Sequence, residues 1–187
     1  MPALRTFIAL PTPSAAQHAI AAVQTILKET NAGVKWESQD KFHITLVFLG
    51  NVEPAKLELL SNALKESVQS FPSFGVQYES VGAFPNPHQP RVIWIGIPFN
   101  QSVLDLQANV GRLCSKFGFP EEDRVFHPHI TLGRVKDNRN MARLTDAIKT
   151  ITFEPIETTC PEILLMKSDL HPGGSIYTKL KSFPLHT

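Results

Sequence analysis

The sequence predicts an α+β fold with two related, pseudo-symmetric lobes, in which antiparallel sheets line a central cleft and helices lie outside. Strand-like segments come in neighbouring pairs with a helical segment beside each pair, which is typical of antiparallel rather than doubly wound parallel sheets. A short motif recurs about half a chain later, which indicates that the two lobes are related. No linker or low-complexity stretch divides the 187 residues, so we expect a single bilobal domain over residues 1–187.

In the first half of the chain, apolar strand-like segments alternate with two helical ones. Ser14 opens a segment rich in Ala, Gln and Leu that ends near Thr30, with Gly33 beyond it, which predicts a helix with an N-cap and a stop. Residues 54–69 form a second predicted helix, because apolar residues recur at the spacing of one helix face, at Leu57, Leu60, Leu64 and Val68. The predicted strands are 5–10, 34–36, 43–49 and 74–81.

The second half repeats this alternation. The loop F-P-N-P-H-Q-P at 84–90 contains three prolines and is not expected to form regular structure. Predicted helices span residues 103–117, which Gly118 and Pro120 end, and residues 141–151. The predicted strands are 91–97, 129–135, 153–159, 162–168 and 175–182, and the turn H-P-G-G joins the last two.

Charge and composition restrict the function classes. The chain has 18 basic and 17 acidic residues, a balance that argues against coating long nucleic acid but allows a local basic cleft for one phosphate. No apolar run approaches the roughly 18 residues of a membrane span. The N-terminal apolar stretch is soon interrupted by Pro11 and Pro13, and Cys114 and Cys160 follow no disulfide or zinc pattern. We therefore expect a cytoplasmic protein.

The repeated motif places histidine and threonine together on two strands. F-H-I-T-L occurs at residues 42–46, and H-I-T-L recurs at residues 129–132. Because side chains alternate along a strand, His43, Thr45 and Val47 are predicted to share one face. The other face packs against helices and comprises Ile44, Leu46 and Phe48. The second copy repeats this pattern with His129 and Thr131.

These residue types suit phosphodiester hydrolysis without a metal. In-line displacement at phosphorus needs a base on the attacking oxygen and an acid on the leaving oxygen, and histidine titrates near neutrality. His43 and His129 are therefore the candidate catalytic residues. Threonine hydroxyls and an arginine fork can hold the phosphate oxygens, which nominates Thr45, Thr131 and Arg134.

Each assignment has a structural alternative. One His beside one Thr on a strand is usually a structural pair, and the second copy with the same spacing favours function. Arg134 has the wrong parity for the face of His129 and Thr131. It reaches the cleft if Gly133 marks a β-bulge, and otherwise it is a surface charge.

The other histidines and aromatic residues are weaker candidates. His127 and His129 form an H-x-H pair that zinc could use, but no third ligand follows at a helpful spacing, so we expect no metal and no cofactor. Phe42 and Phe126 could stack a base, although phenylalanines at such positions are more often core. The remaining histidines are predicted to be solvated: His18, His88, His171 and His186.

The segments F-H-I-T-L-V-F-L-G and F-H-P-H-I-T-L-G-R resemble the paired signatures of the two-histidine phosphoesterase superfamily. Within it the chain is most similar to the bacterial and archaeal RNA 2′,3′-cyclic phosphodiesterases, also called 2′–5′ RNA ligases. The resemblance extends over nearly the whole chain. It includes R-T-F-I-A-L-P near the start, V-G-A-F-P and P-R-V-I-W-I-G in the centre, and S-D-L-H-P-G-G-S-I-Y-T-K-L near the end.

The resemblance implies a bilobal fold and hydrolysis of a 2′,3′-cyclic phosphate to a 2′-phosphate. It also implies weak ATP-independent joining of tRNA halves through 2′–5′ linkages. It implies that His43 and His129 are catalytic and that Thr45, Thr131 and Arg134 hold the phosphate. The expected partners are RNA ends or nucleoside cyclic phosphates, with no membrane, and the chain is expected to be a monomer. The two rival interpretations are a non-catalytic nucleotide or RNA-end binder and a zinc hydrolase.

Overall fold

The chain folds into a curled antiparallel sheet covered by helices. The computed structural model describes residues 2–121 and 124–186. Within these ranges the α-helices are α1 (Ser14–Lys28), α2 (Pro54–Val68), α3 (Gln101–Lys116) and α4 (Met141–Thr150). The strands there are β1 (Leu4–Pro11), β2 (Val34–Trp36), β3 (His43–Val52), β4 (Phe74–Phe84), β5 (Val92–Gly96), β6 (His129–Val135), β7 (Ile156–Cys160), β8 (Glu162–His171) and β9 (Gly174–Pro184).

The sheet consists of two halves that meet at one residue pair. The strand order is β7-β4-β5-β6-β3-β1-β8-β9, with β2 also paired to β6. β3 and β6 share only the pair Ile44–Ile130, whereas β1 and β3 pair along most of their length. The half with β3, β1, β8 and β9 is the His43 lobe, and the half with β6, β5, β4, β7 and β2 is the His129 lobe. This arrangement confirms the predicted bilobal α+β fold class.

The helices cross between the lobes. Helix α1 follows a strand of the His43 lobe but packs near α4 and β7, whereas α3 follows a strand of the His129 lobe and packs against α2 and β3. Each helix buries an apolar face, and that of α1 consists of Ala16, Ile20, Val23 and Leu27. The two halves of the sequence are therefore interleaved in space.

Most predicted elements are present, with two local differences. Ser14 does not cap α1: the N-cap residue is the extended Pro13, whose carbonyl accepts the Gln17 N–H at 2.9 Å, and no side chain caps the helix. The strand predicted from residue 153 begins at Ile156, because Pro155 has no N–H to donate to the ladder.

Two further observations concern cysteines and helix hydropathy. Cys114 and Cys160 are both buried and free. Among the described residues, none of the helices combines the length and the hydropathy that a membrane crossing needs.

Candidate active site

The cleft between the lobes brings the five predicted site residues together. It has a volume of about 540 Å³, and its lining includes His43, Thr45, His129, Thr131 and Arg134. Since the two motif strands run antiparallel about the pair Ile44–Ile130, each strand carries its histidine and threonine to the same opening from opposite directions.

A β-bulge follows the His-x-Thr motif on both strands. On β3, Thr45 lies opposite Ala9 and Val47 lies opposite Ile8, so Leu46 is the extra residue. On β6, Thr131 lies opposite Trp94 and Gly133 lies opposite Ile93, so Leu132 is the extra residue. A bulge inserts one residue and reverses the facing of the side chains beyond it.

The bulge on β6 turns Arg134 into the cleft. Arg134 pairs with Val92 on β5 and with Lys35 on β2, and its side chain lines the cleft beside Thr131. The bulge that one of the two sequence interpretations required is therefore present, and the role of Arg134 in holding phosphate stays a prediction. The extra residue of the bulge is Leu132, which directly precedes Gly133, the residue from which the sequence predicted a bulge.

The bulge on β3 makes one prediction of side-chain facing wrong. Val47 was expected to face the cleft, but it is buried at 9% exposure in the core. Phe48 was expected in the core, but it is 45% exposed and lines the cleft. The Arg5 guanidinium lies 4.4 Å from the centre of the Phe48 ring. Phe48 thus occupies, in the His43 lobe, the position that Arg134 occupies in the His129 lobe.

Both histidines are held by the same backbone contact. Nδ1 of His43 donates to the Lys41 carbonyl at 2.6 Å, and Nδ1 of His129 donates to the His127 carbonyl at 2.7 Å. Because Nδ1 keeps its proton for this bond, Nε2 carries the lone pair in the neutral ring and the acidic proton in the charged ring. In His43, Nε2 also lies 3.1 Å from the Thr45 hydroxyl, which donates to the neutral ring.

Burial lowers the pKa of both rings. Desolvation is the main cause of the lowered pKa of His43, and the nearby His129 lowers it further, while the bond to Lys41 opposes both. Desolvation also lowers the pKa of His129, opposed by the bond to the His127 carbonyl and reinforced by Arg134. The effect of His129 on the pKa of His43 indicates that the two titrations are coupled.

Aromatic side chains pack against each histidine. The rings of Phe7 and Tyr177 lie 4.9 Å and 5.3 Å from that of His43. The ring of Phe84 lies 4.9 Å from that of His129, edge to face. These contacts and the backbone tethers restrict rotation of both imidazoles.

The cleft is basic although the chain is nearly neutral. One carboxylate, that of Glu37, faces a group of cationic side chains in the cleft lining, comprising Arg5, Lys35, Lys41, Arg134 and Lys136. Apart from Arg134, these residues and Tyr177 were not identified from the sequence. They come from separate strands and loops, and no local motif marks them.

The structure also locates the weaker candidates. His127 is exposed and lies beside Phe84, and no group of three or more metal-ligating side chains occurs within residues 2–121 and 124–186. Phe42 is buried and Phe126 packs against the core, which agrees with the core interpretation. The remaining histidines are exposed as expected, although His171 also borders the cleft: His18, His88, His171 and His186.

Comparison with known proteins gives the family. The sequence profile described as LigT like phosphoesterase matches the chain twice, over residues 10–94 and 95–177, and each match contains one His-x-Thr motif. The chain belongs to the LigT-like phosphoesterases. This confirms the resemblance that the two motifs indicated.

Named relatives in this phosphoesterase family cover nearly the whole chain. A protein of Methanothermobacter thermautotrophicus named RNA 2′,3′-cyclic phosphodiesterase is 33% identical over 97% of this chain and 99% of its own length. One of the same name from Archaeoglobus fulgidus is 36% identical over 96% of this chain and 99% of its own length.

Solved structures share the fold. TT0787 of Thermus thermophilus superposes with a TM-score of 0.81 at 26% identity, covering 97% of this chain and 98% of that one. Escherichia coli LigT in complex with 3′-AMP superposes with a TM-score of 0.79 at 26% identity over the full length of both chains.

Proposed function

We propose that this phosphoesterase hydrolyses RNA 2′,3′-cyclic phosphate ends to 2′-phosphates by metal-independent acid/base catalysis. The observation that carries the proposal is the matched pair of histidines, each tethered through Nδ1 to a backbone carbonyl and each lining one basic cleft. The names of the relatives in Methanothermobacter and Archaeoglobus support the choice of substrate.

The proposed reaction divides the proton transfers between the two rings. Forming a 2′-phosphate breaks the bond between phosphorus and the 3′ oxygen, and a new bond forms between phosphorus and water. We assign His129 as the base that takes the proton from water and His43 as the acid that protonates the departing 3′ oxygen. The Nδ1–H tautomer suits both jobs, because it presents Nε2 to the substrate in each protonation state.

The phosphate is proposed to lie among Thr45, Thr131 and Arg134. Threonine hydroxyls donate to non-bridging oxygens, and the guanidinium fork of Arg134 neutralises the charge that grows on them in the transition state. The Thr45 hydroxyl, which bonds His43 Nε2 at 3.1 Å, is placed to move to a phosphate oxygen when the substrate arrives.

Weak 2′–5′ ligation follows from the same chemistry. If the 5′-hydroxyl of a second RNA replaces water, His129 takes its proton, the 3′ oxygen leaves and a 2′–5′ phosphodiester forms without ATP. RNA ends, including those of tRNA halves, are the proposed partners. A monomeric state and a cytoplasmic location stay predictions of the sequence.

One assay separates this function from its two rivals. The protein is incubated with a nucleoside 2′,3′-cyclic phosphate in excess chelator, and the product is identified by phosphorus NMR. We expect conversion to the 2′-phosphate. Turnover that chelator abolishes would support a zinc hydrolase using His127 and His129, and tight binding without turnover would support a non-catalytic binder.

A further inference from the structure

We propose that Gln24 is a positioning residue for this reaction: it fixes the β-bulge of β6 and thereby aims Arg134 at the phosphate. The inference rests on the proposed function of Arg134 as a phosphate-holding residue. Gln24 lies on α1, far from the motifs in sequence, and does not line the cleft itself.

The amide of Gln24 is buried and bonded at both ends. The residue is 3% exposed, and its Nε2 donates to the Leu132 carbonyl at 2.9 Å and to the Glu37 carbonyl at 2.7 Å. Its Oε1 accepts from Nζ of Lys28 at 2.7 Å. The two carbonyls and the ammonium together define which end of the amide is oxygen and which is nitrogen.

A polar side chain is unexpected at this position of the helix. Gln24 lies among the apolar residues that α1 buries, including Ile20, Val23 and Leu27. Burying an amide is costly unless its hydrogen bonds are made, and an apolar side chain would fill the space without that requirement. The hydrogen bonds to the two backbone carbonyls therefore explain why this buried position of α1 holds an amide side chain.

The bonded carbonyl belongs to the extra residue of the bulge. The register shift leaves Leu132 without a counterpart on β5, because Thr131 and Gly133 pair with consecutive residues there. The Leu132 carbonyl instead accepts the Glu37 N–H at 2.8 Å and the Gln24 amide. Gln24 also bonds the Glu37 carbonyl, so one side chain ties the chain after β2 to the bulge.

The bulge determines where Arg134 points. Arg134 is two residues beyond Leu132, and without the extra residue strand alternation would place it on the face opposite Thr131. A loosened bulge would therefore disorder the guanidinium relative to the phosphate while leaving both histidines on their backbone tethers. Loss of Gln24 is expected to resemble partial loss of Arg134.

The test is a double-mutant cycle read by phosphate binding and by kinetics. Gln24→Met keeps the length of the side chain and removes its hydrogen bonds. We expect kcat/KM for a nucleoside 2′,3′-cyclic phosphate to fall about tenfold and competitive inhibition by inorganic phosphate to weaken by a similar factor. In the Arg134→Ala background the same change should cost less than about twofold, because the two residues act through one contact.

Ser61→Ala is the matched control for burial. Ser61 is a buried polar residue of α2 whose hydroxyl donates to the Leu57 carbonyl at 2.7 Å, away from the cleft. Its loss should affect stability but leave phosphate inhibition unchanged. Two results would overturn the inference. One is a double variant in which the losses of kcat/KM from Gln24→Met and Arg134→Ala multiply, and the other is unchanged phosphate inhibition in Gln24→Met.

Lys28→Met provides a variant at an exposed residue if Gln24→Met does not fold. It removes the ammonium that orients the amide, and Lys116→Met, at the exposed end of α3, is its control. We expect Lys28→Met to weaken phosphate inhibition about twofold to fivefold, and only when Arg134 is present. Equal effects of the two lysine changes on phosphate inhibition would contradict the inference.

Failure of the proposed function can be told apart from failure of this inference. If the wild type does not hydrolyse the cyclic phosphate, the proposed function fails, whereas calorimetric phosphate binding by the same variants still tests Gln24.

Discussion

The two histidines of the site make the same kind of backbone hydrogen bond but have different surroundings. Nδ1 of each histidine donates to the carbonyl two residues earlier, so the tautomer is the same in both rings. His43 packs against Phe7 and Tyr177, whereas His129 packs against Phe84. Burial lowers the pKa of both rings, which determines how activity depends on pH.

We predict a bell-shaped pH profile of kcat/KM with its maximum below pH 6.5. One histidine must be charged and the other neutral, and the maximum lies between the two apparent pKa values of the coupled pair. Both pKa values are lowered from 6.5, so the acid loses its proton and activity falls as the pH rises through the higher of the two, which lies below 6.5. In the profile of kcat the alkaline limb should move to higher pH, because the substrate anion favours the imidazolium.

Initial rates with a cyclic nucleotide between pH 4.5 and 9 measure this profile. A maximum of kcat/KM above pH 6.5, or a flat profile over this range when chemistry limits the rate, would contradict this prediction. The His43→Ala and His129→Ala variants serve as controls, since each should lose one limb along with most of the activity.

Arg134 is predicted to need its planar fork. Arg134→Lys keeps the charge but offers no bidentate contact, and we expect it to lower kcat/KM about tenfold to a thousandfold. Arg91→Lys is the matched control, because Arg91 is exposed and does not line the cleft. Activity near that of the wild type in Arg134→Ala would remove Arg134 from the phosphate site.

At the scale of strands, side-chain facing could be predicted from the sequence before the bulges of β3 and β6, but not reliably beyond them. The alternation of His43, Ile44 and Thr45 correctly placed the histidine and threonine on one face. It failed at Val47 and Phe48, because the extra residue depends on how β3 pairs with β1 rather than on β3 alone. On β6 the glycine after the motif provided a local signal, and the facing of Arg134 could be anticipated.

Gly133→Ala is predicted to disrupt the bulge on β6. A Cβ there would lie 2.7 Å from Val34 Cγ1, 2.9 Å from Trp36 Cε3 and 3.1 Å from the Lys35 carbonyl oxygen, so β2 would have to move. We expect the free energy of unfolding to fall by about 1–3 kcal/mol and kcat/KM to fall as well. Gly173→Ala is the control, since a Cβ there meets nothing within 4 Å. Unchanged stability and activity in Gly133→Ala would contradict this description of the strand pair.

For the whole molecule, the sequence indicated two related lobes but not how they are joined. The repeat of the motif predicted the pseudo-symmetry, whereas the contact between β3 and β6 through one residue pair has no sequence signal. The cationic cleft was missed for a similar reason. Arg5, Lys35 and Lys136 lie on different elements and meet only because the strands pair across the fold.

We propose that the chain folds as one domain, and we predict a single cooperative unfolding transition. Helix α1 connects a strand of the His43 lobe to contacts in the His129 lobe, so neither lobe is built from one continuous segment. Trp36 and Trp94 are the two tryptophans, and both lie in the His129 lobe. Their fluorescence and the far-ultraviolet circular dichroism of the whole chain should therefore change at the same temperature.

Leu60→Ala tests this cooperativity from the opposite lobe. Leu60 is fully buried on α2, and its truncation should lower the free energy of unfolding by about 2–5 kcal/mol. Both signals should shift together. A tryptophan transition that stays in place while the circular dichroism transition moves would show that the lobes unfold separately.

The central claim is that the two related lobes supply two histidines with different jobs. The cleft is pseudo-symmetric in His43 and His129, but Phe48 in one lobe corresponds to Arg134 in the other. We expect this asymmetry to favour one direction of the ribose in the cleft, and that direction determines which ring faces the leaving oxygen.

The most direct test compares leaving groups. Each histidine is replaced by alanine, and kcat/KM is measured with a nucleoside 2′,3′-cyclic phosphate and with a p-nitrophenyl phosphodiester that the cleft accepts. With the cyclic nucleotide, both variants should lose about 100-fold to 10,000-fold. With the p-nitrophenyl diester, His43→Ala should recover most of that loss, because the leaving group needs no acid, and His129→Ala should not. Rescue of His129→Ala instead would reverse the assignment, and rescue of neither variant would contradict the division into acid and base.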